Sequence, residues 1–560
     1  MPKKPSTRPA LSRLLVVMAL AIALTAAVLA QERKFYPDDP LRIDRDTLDT
    51  AEPSAIELSD MYDRFGHIFV ELGTAQPVEA ANVNTLDEVP DSSWFTNRHG
   101  VDRMSLDALV RGPDAGDGPD LNGPWAIFRS KSQGLTPGFE ITDARGDRYI
   151  IKFDPIDIPE LASAAEVIST KLFHALGYHA PENYIVLVDP ERFAIEPGTT
   201  LEDEFGDEVA LTQGRLTRLL NRVGRTNGLL RVTASKYLPG LPIGPFRYFG
   251  TRSDDPNDIV PHEHRRELRG LRVFAAWLNH DDTRAHNTQD AWVEEDGGHY
   301  IRHYMLDFGS TLGSGSIEAQ LPNLGYHYWL DLSLVKRNAG RFGFNTPAYR
   351  RVRFPDFPSI GRIEAEFYEP HDWRNDYPNP AFVRMTGRDA FWAAKIVARF
   401  THEEVAAIVA TGQYSDPAAE AYLVDTIVAR QHKTAAYYLN LMNPLDAFAV
   451  ADGALTFTNL SELYGYADPG ASYEVIWSVY GDGDQSVTPV AASTMHDARS
   501  LPIPSVADIG GERHLVAEIR TEHPDHPAWR EPVTVYLRGT DDGLAVVGLD
   551  RVSAQLAPME

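Results

Sequence analysis

Residues 279–287 read NHDDTRAHN, and residues 306–309 read LDFG. The first stretch ends a segment in which apolar residues recur at helical spacing. The second follows two strand-like runs that turn at residues 296–298, a pattern typical of a hairpin. The carboxylate and amide side chains of both stretches are therefore expected on loops that flank one hairpin. Oxygen donors of this kind are the ligands that a hard divalent cation prefers.

A lysine and a glutamate precede these stretches. Lys152 lies at the end of the strand-like run YIIKF, residues 149–153. Glu166 follows fourteen residues later, midway along a predicted helix that opens at Pro159 and closes at Gly177. On a helical projection Glu166 lies on the flank of the apolar stripe, from which its carboxylate can reach sideways.

These residue types suit a ligand rich in phosphate. A polyphosphate needs a cation beside it, which Lys152 supplies, and Glu166 would pair with the lysine to aim it. Asp307 and Asn287 are suited to hold magnesium, and Asp282 to orient or deprotonate an attacking hydroxyl. Lysine, glutamate, Asp-x-x-x-x-Asn and Asp-Phe-Gly, in this order, are what a nucleotide phosphotransferase of the protein-kinase type requires.

Residues 125–442 resemble the protein-kinase-like superfamily and, within it, the atypical HipA-like kinases. The resemblance rests on YIIKF, on the helix with Glu166, and on NHDD at 279–282 with Asn287. It implies a two-lobed α+β fold that binds ATP with magnesium or manganese and transfers the terminal phosphoryl group. By motif position it makes Lys152 the phosphate-binding lysine, Glu166 its partner, Asp282 the catalytic aspartate, and Asn287 and Asp307 the metal ligands.

Several features depart from the kinase pattern. Gly134 lies in a turn between two predicted strands, where it is expected to close over the phosphates, yet GLTPG at residues 134–138 is not a repeated-glycine loop. The atypical branches also lack such a loop. Asp281 stands where protein kinases place an arginine that reads a phosphorylated activation loop, and no Ala-Pro-Glu follows Asp307. Activation by loop phosphorylation is therefore not expected.

The length and the pattern changes predict several folded units. A chain of 560 residues is expected to form about three or four. The predicted boundaries are 1–30 for a signal peptide, 31–121 for an irregular extension, 122–240 for a kinase-like N-lobe, 241–445 for a helical C-lobe and 446–560 for a β-sandwich.

The composition excludes several classes of function. The chain is 43% hydrophobic with a net charge of −27, which is typical of a folded acidic protein and argues against nucleic acid or an anionic membrane as partner. It contains no cysteine, so disulfides and thiolate metal sites are excluded. Its histidines between 262 and 303 lack a His-Glu-x-x-His spacing and do not predict zinc.

The N-terminus predicts export. Basic residues precede an uncharged run, Leu14–Ala30, which ends in a small-x-small pattern before Gln31. The run is short for a transmembrane helix, which needs about 20 residues. We therefore expect a cleaved signal, no stable membrane insertion afterwards, and a periplasmic or extracellular protein.

Two other classes of function stay open at this stage. A catalytically inactive kinase-fold scaffold of the cell envelope is favoured by export, since ATP is scarce outside the cytoplasm. An envelope interaction protein that works through its C-terminal β region would not need Lys152 or Asp307. The acceptor for a phosphotransferase is a protein or a small molecule, and the residues do not distinguish between them.

Overall fold

The computed structural model describes residues 33–69, 78–130, 138–202, 207–331, 334–335, 348–506 and 509–556. The predicted signal peptide and Gly134 lie outside these ranges. The helices are α1 Asp60–Phe69, α2 Leu106–Arg111, α3 Leu161–Leu176, α4 Gln213–Leu220, α5 Arg266–Leu278, α6 Gly387–Ala398, α7 His402–Ala410, α8 Pro417–Asn440 and α9 Leu460–Leu463. No helix within the described ranges is long and apolar enough to cross a membrane.

A mainly antiparallel sheet forms the region between residues 125 and 236. Its strands are β1 Trp125–Ser130, β2 Gly138–Thr142, β3 Arg148–Phe153, β4 Asn183–Val188, β5 Phe193–Ile195, β8 Arg225–Thr226 and β9 Leu229–Lys236, while β6 Thr200–Glu202 and β7 Glu208–Ala210 pair separately. The main order is β4-β9-β3-β2-β1-β5. Alternate residues of β3, Tyr149, Ile151 and Phe153, enter the core, which leaves Lys152 on the opposite face.

Helix α3 follows β3 and ends at Gly177, as the sequence predicts. Gly177 has a φ of 124°, and a Cβ there would lie 2.2 Å from the ring of Phe95. Only glycine combines this backbone conformation with so close an approach. The end of α3 is therefore set by a contact with the chain segment that precedes the sheet.

Helices α5, α6, α7 and α8 share one large apolar core with α3. The predicted hairpin after α5 is confirmed: β11 Thr288–Glu295 pairs antiparallel with β12 Gly298–Met305, and a short β10, Leu241–Pro242, pairs with β11. The hairpin places the NHDDTRAHN loop before its first strand and LDFG after its second.

The C-terminal region contains two sheets. One has β13 Leu445–Ala451, β14 Ala454–Asn459 and β18 Ser500–Pro502; the other has β15 Ser472–Gly481, β16 Ser486–Pro489, β17 Thr494–His496, β19 Arg513–Glu522, β20 Val533–Thr540 and β21 Gly543–Arg551. Side chains of both sheets belong to one apolar cluster. Strands β20 and β21 pair antiparallel and form a hairpin that turns between Thr540 and Gly543. The presence of both helices and largely antiparallel sheets confirms the α+β class.

Residues 33–69 and 78–121 include side chains and backbone groups that contact the sheet, the helices and the C-terminal region. Phe35 packs on Val516, Tyr536 and Val547 of the C-terminal sheet. Asp87 accepts a hydrogen bond from Arg266 of α5 at 2.6 Å. The extension thus connects parts of the chain that are hundreds of residues apart.

A buried charge cluster joins the helices. The side chain of Asp389 is fully buried, and its two oxygens pair with Arg266 at 3.1 Å and Arg269 at 3.2 Å. The same carboxylate completes the capping box at the start of α6, where it accepts from the backbone N–H of Thr386 at 2.9 Å. One side chain therefore neutralises two buried cations and caps a helix.

We expect Asp389→Ala to lower the free energy of unfolding by about 3–5 kcal/mol, because it leaves two buried guanidinium groups short of a counter-charge. Asp416→Ala is the matched control, since Asp416 is an exposed N-cap of α8 and should cost only about 1 kcal/mol. Urea denaturation followed by tryptophan fluorescence measures both. Equal losses in the two variants would contradict the role assigned to the buried cluster.

Candidate functional site

Lys152 lies between two carboxylates that come from different parts of the chain. Its Nζ is 3.0 Å from Glu166 Oε2 and 2.8 Å from Asp307 Oδ1. β3 supplies the lysine, α3 supplies the glutamate, and the turn after β12 supplies the aspartate. The structure therefore brings together three of the residues that the sequence singles out.

Glu166 is held from both sides. Its other oxygen, Oε1, accepts from the backbone N–H of Phe308 at 3.2 Å and from Asn183 Nδ2 at 3.3 Å. Sequence periodicity places Glu166 at the edge of an apolar stripe, whereas the structure buries α3 on nearly every side and leaves the side chain of Glu166 only 3% exposed. The difference arises because the helix is enclosed by the sheet, the turn after β12 and the helical region, so its polar positions are covered too.

Asp307 has a left-handed backbone, with φ 55° and ψ 60°. Few residues other than glycine adopt this conformation, although aspartate tolerates it better than most. Its side chain is 42% exposed, compared with 14% for Lys152. One carboxylate therefore both contacts the buried lysine and faces the opening of the site.

The charge of Lys152 is stabilised by its partners. Burial alone would lower the pKa of the Lys152 amine, but attraction to Asp307 and Glu166, together with their hydrogen bonds, outweighs burial and raises it. The lysine is consequently a permanent cation at neutral pH.

The NHDDTRAHN loop lies next to the turn that carries Asp307. Leu306 donates its backbone N–H to the carbonyl of Asn287 at 2.9 Å. Asn287 donates from Nδ2 to the carbonyl of Asp282 at 2.7 Å, which orients its side-chain amide. Burial, and more weakly the charge of Asp307, raises the pKa of the Asp282 carboxyl, while Arg284 and Asn287 oppose the shift. The two predicted loops are thus adjacent.

Two residues that the sequence did not single out, Arg284 of this loop and Asp60 of α1, form ion pairs here. Arg284 Nε lies 2.6 Å from Asp282 Oδ1, and its NH1 donates to Asp60 Oδ1 of α1 at 2.9 Å. Arg284 lies two residues after Asp282 in the NHDDTRAHN loop, and this proximity in sequence could have indicated that the two side chains pair. Asp60 lies more than two hundred residues away and carries no such signal.

The site opens between the sheet and the turn after β12. The residues that line this opening are Lys152, Phe153, Asp154, Ala162, Ser163, Glu166, Thr233, Asp307, Gly309 and Ser316. Gly134, predicted to close over phosphates, is outside the described ranges, so its placement stays a prediction.

The donor set fits a hard cation with a nucleotide. Asp307 and Asn287 offer a carboxylate and an amide, which are oxygen ligands that magnesium and manganese accept. Within the described residues no group of three or more His, Asp or Glu side chains could hold a metal by itself. A cation here would take its remaining ligands from phosphate and water, as magnesium usually does.

Comparisons with known proteins give weak likenesses. No family model matches the chain, and no curated protein matches it. Among solved structures, the Helicobacter pylori proinflammatory kinase CtkA is 11% identical, with 54% of this chain and 94% of that chain covered and a TM-score of 0.28. The Golgi casein kinase with Mn/ADP bound is 10% identical, with 60% and 74% covered and a TM-score of 0.27.

These TM-scores are too low to establish a common fold. The site is therefore defined by contacts within this chain, above all the pairing of the β3 lysine with the α3 glutamate. The nearer likeness to HipA-like kinases stays a prediction.

Asp281, beside Asp282, is a buried carboxyl with an unusual proton affinity. Burial, and then the charges of Asp282 and Asp376, raise the pKa of Asp281 well above its ordinary value of 3.8. Its Oδ1 accepts from Gln320 Nε2. The folded state binds the proton of Asp281 more tightly than the unfolded state does. The contribution of Asp281 to the free energy of unfolding therefore falls as pH rises above about 4.

Asp281→Asn keeps the shape and the acceptor oxygen but removes the titration. We expect the variant to melt at a higher temperature than the wild type at pH 7.5, with a smaller gain near pH 4. Asp372→Asn, on an exposed aspartate, is the control and should change little. Scanning calorimetry at both pH values measures the effect, and an equal gain at each pH would contradict it.

Proposed function

We propose that the protein is a kinase-like phosphotransferase that uses ATP with magnesium or manganese to phosphorylate a hydroxyl of a protein or a small molecule. The observation that carries this proposal is Lys152, 3.0 Å from Glu166 and 2.8 Å from Asp307. A strand lysine paired with a helix glutamate, next to a metal-binding aspartate, is the arrangement on which kinase activity depends. The proposal includes two lobes, at 122–240 and 241–445, and a β-sandwich at 446–560.

The charge of each side chain would determine its role in binding the nucleotide and the cation. Bound ATP and its cation supply the phosphoryl group and neutralise its charge. Lys152 would bind the phosphates, because it is a fixed cation that lines the site, and Glu166 would hold its amine in position. Asp307 and Asn287 would hold the cation, and the exposure of Asp307 leaves its carboxylate accessible.

Asp282 would act on the acceptor. Its raised pKa brings the carboxyl closer to the range in which it can accept a proton from a hydroxyl. Arg284 already occupies Oδ1 at 2.6 Å and also approaches Oδ2 at 3.3 Å. An acceptor hydroxyl must therefore approach Asp282 from the side that Arg284 leaves open, which constrains how the substrate enters.

The same ion pair favours the second candidate, a catalytically inactive kinase-fold scaffold. With Arg284 bound to both Asp282 and Asp60, the aspartate is engaged in a structural contact. A scaffold of this kind would bind nucleotide or a partner without transferring phosphate. Retention of Lys152, Glu166, Asp282, Asn287 and Asp307 supports the enzyme, since a scaffold does not need the full set.

A thermal-shift titration of the chain from Gln31 onward with ATP tests nucleotide binding, with and without magnesium or manganese. A ligand that binds only the folded state stabilises it by RT ln(1 + [L]/Kd), or about 2.7 kcal/mol at a hundredfold excess over Kd. A shift that depends on the metal supports the proposal. No shift with any nucleotide and metal would contradict the phosphotransferase and leave only a scaffold that binds a partner without nucleotide.

Two substitutions separate the enzyme from the scaffold. Asp307→Ala should abolish the metal-dependent shift and all transfer, because it removes a ligand and a partner of Lys152. Asp282→Ala should keep the shift but lower transfer about 10²–10⁴-fold, as expected when a general base is lost. Labelled phosphate followed into the protein and into envelope extracts measures transfer.

Asp425→Ala is the control, since Asp425 is an exposed aspartate on α8. Unchanged labelling in Asp282→Ala would remove the role given to Asp282. Nucleotide binding by the wild type without any labelling would favour the scaffold.

We also propose that residues 1–30 are a cleaved signal peptide and that the mature chain is exported. The support is the basic start, the uncharged run and the small-x-small pattern before Gln31. Protein recovered from its native host should begin at Gln31 and fractionate with soluble envelope contents. Terminal sequencing checks this, and recovery of Leu14–Ala30 in membrane-bound protein would contradict it.

A further inference from the structure

Residues 111–118, between α2 and β1, lie against α3 and β4. Asp114 contacts both elements at once: Oδ2 accepts from Lys171 Nζ of α3 at 2.6 Å, and Oδ1 accepts from the backbone N–H of Asn183 at 3.2 Å. Lys171 Nζ also donates to the carbonyl of Arg111 at 2.9 Å. One carboxylate therefore ties the helix that carries Glu166 to the first residue of the next strand.

Asn183 continues this connection to Glu166. Its Nδ2 donates to Thr170 Oγ1 at 2.7 Å and to Glu166 Oε1 at 3.3 Å. Asp114 holds the backbone of Asn183, and the side chain of Asn183 holds Glu166. A single residue thus separates Asp114 from the carboxylate that pairs with Lys152.

The connection is buried. Asn183 is 1% exposed and Lys171 is 4% exposed, whereas Asp114 is half-buried, so hydrogen bonds lost at the inner end of the connection are costly to replace. Close packing holds the segment in place as well. A Cβ on Gly112, whose φ is 60°, would lie 2.8 Å from Lys171 Cγ, and one on Gly118, whose φ is 78°, would lie 2.9 Å from the ring of Tyr184.

We propose that Asp114 and Asn183 are positioning residues, which hold Glu166 in the orientation that directs Lys152 to the nucleotide phosphates. The proposal rests on the proposed function, because it assigns Lys152 a phosphate to bind. Oε1 of Glu166 has two donors besides the Lys152 contact at Oε2, namely Asn183 and the backbone of Phe308. Loss of the first leaves Oε1 with a single donor, so the orientation of the carboxylate is less constrained.

The experiment has one readout that needs no nucleotide. Phe308 donates its N–H to Glu166 Oε1 at 3.2 Å, so movement of Glu166 exposes this amide to hydrogen exchange. Exchange measured by mass spectrometry over residues 306–310 of the chain from Gln31 onward reports on the position of Glu166. The second readout is the dissociation constant of ATP with magnesium, from the thermal shift.

Asn183→Leu keeps the side-chain size without the hydrogen bonds, and Asp114→Ala removes the bridge. Both should speed exchange at residues 306–310 and weaken ATP binding by about tenfold, the effect of one lost hydrogen bond to a charged group. Asp114→Asn, which keeps an acceptor for the N–H of Asn183, should have an intermediate effect. Asp117→Ala, at an exposed aspartate of the same segment, is the matched control and should match the wild type in both readouts.

If Asn183→Leu does not fold, Asp114→Ala and Asp114→Asn still test the proposal, because Asp114 lies outside β4 and contacts Asn183 only through its backbone N–H. Exchange at residues 306–310 that stays at the wild-type rate in the Asp114 variants overturns the proposal. An exchange effect equal to that of Asp117→Ala also overturns it. Absence of ATP binding by the wild type contradicts the proposed function instead, and the exchange result alone then decides whether Asp114 and Asn183 position Glu166.

Discussion

The site depends on keeping a lysine ammonium charged at a place where water is scarce. Moving an ammonium out of water is unfavourable unless opposite charges surround it with good geometry. Lys152 meets this condition because Glu166 and Asp307 approach it within 3.0 and 2.8 Å. Sheet, helix and hairpin turn each supply one group, so the relative placement of these three elements follows from one electrostatic requirement.

The extension before the sheet has a structural role that its irregular sequence does not suggest. Asp87 takes part in the charge cluster of α5 and α6, Phe95 fits against Gly177, and Asp114 bridges α3 and β4. Asp87 supplies a counter-charge to buried arginines, Phe95 packs against the end of α3, and Asp114 accepts hydrogen bonds from α3 and β4. A segment with little regular structure therefore stabilises elements that have it.

Local patterns predicted much of this protein. Pro159 and Gly177 mark the ends of α3, and the turn at residues 296–298 marks the β11–β12 hairpin. These features could be predicted because helix ends and turns are determined by a few neighbouring residues. The order of the motifs predicted the pairing of Lys152 with Glu166, whereas the contact of Asp307 with Lys152 was not predicted. The burial of Glu166 was not predicted, since it depends on what encloses α3. The pairings of Asp60 with Arg284 and of Asp114 with Asn183 join positions 224 and 69 residues apart, which no local pattern encodes.

The contact of Phe35 with β19, β20 and β21 has a consequence for how the chain acquires its structure. Leu549 also donates its backbone N–H to the carbonyl of Thr85 at 2.7 Å, so early residues complete their bonds only with strands made at the far end of the chain. Contacts over such separations form slowly, because a long loop must close before they add stability. During synthesis Phe35 and Thr85 therefore lack these partners until β19, β20 and β21 have been made. The contacts of Phe35 and Thr85 with the C-terminal sheet are consequently late events in folding, which join segments hundreds of residues apart.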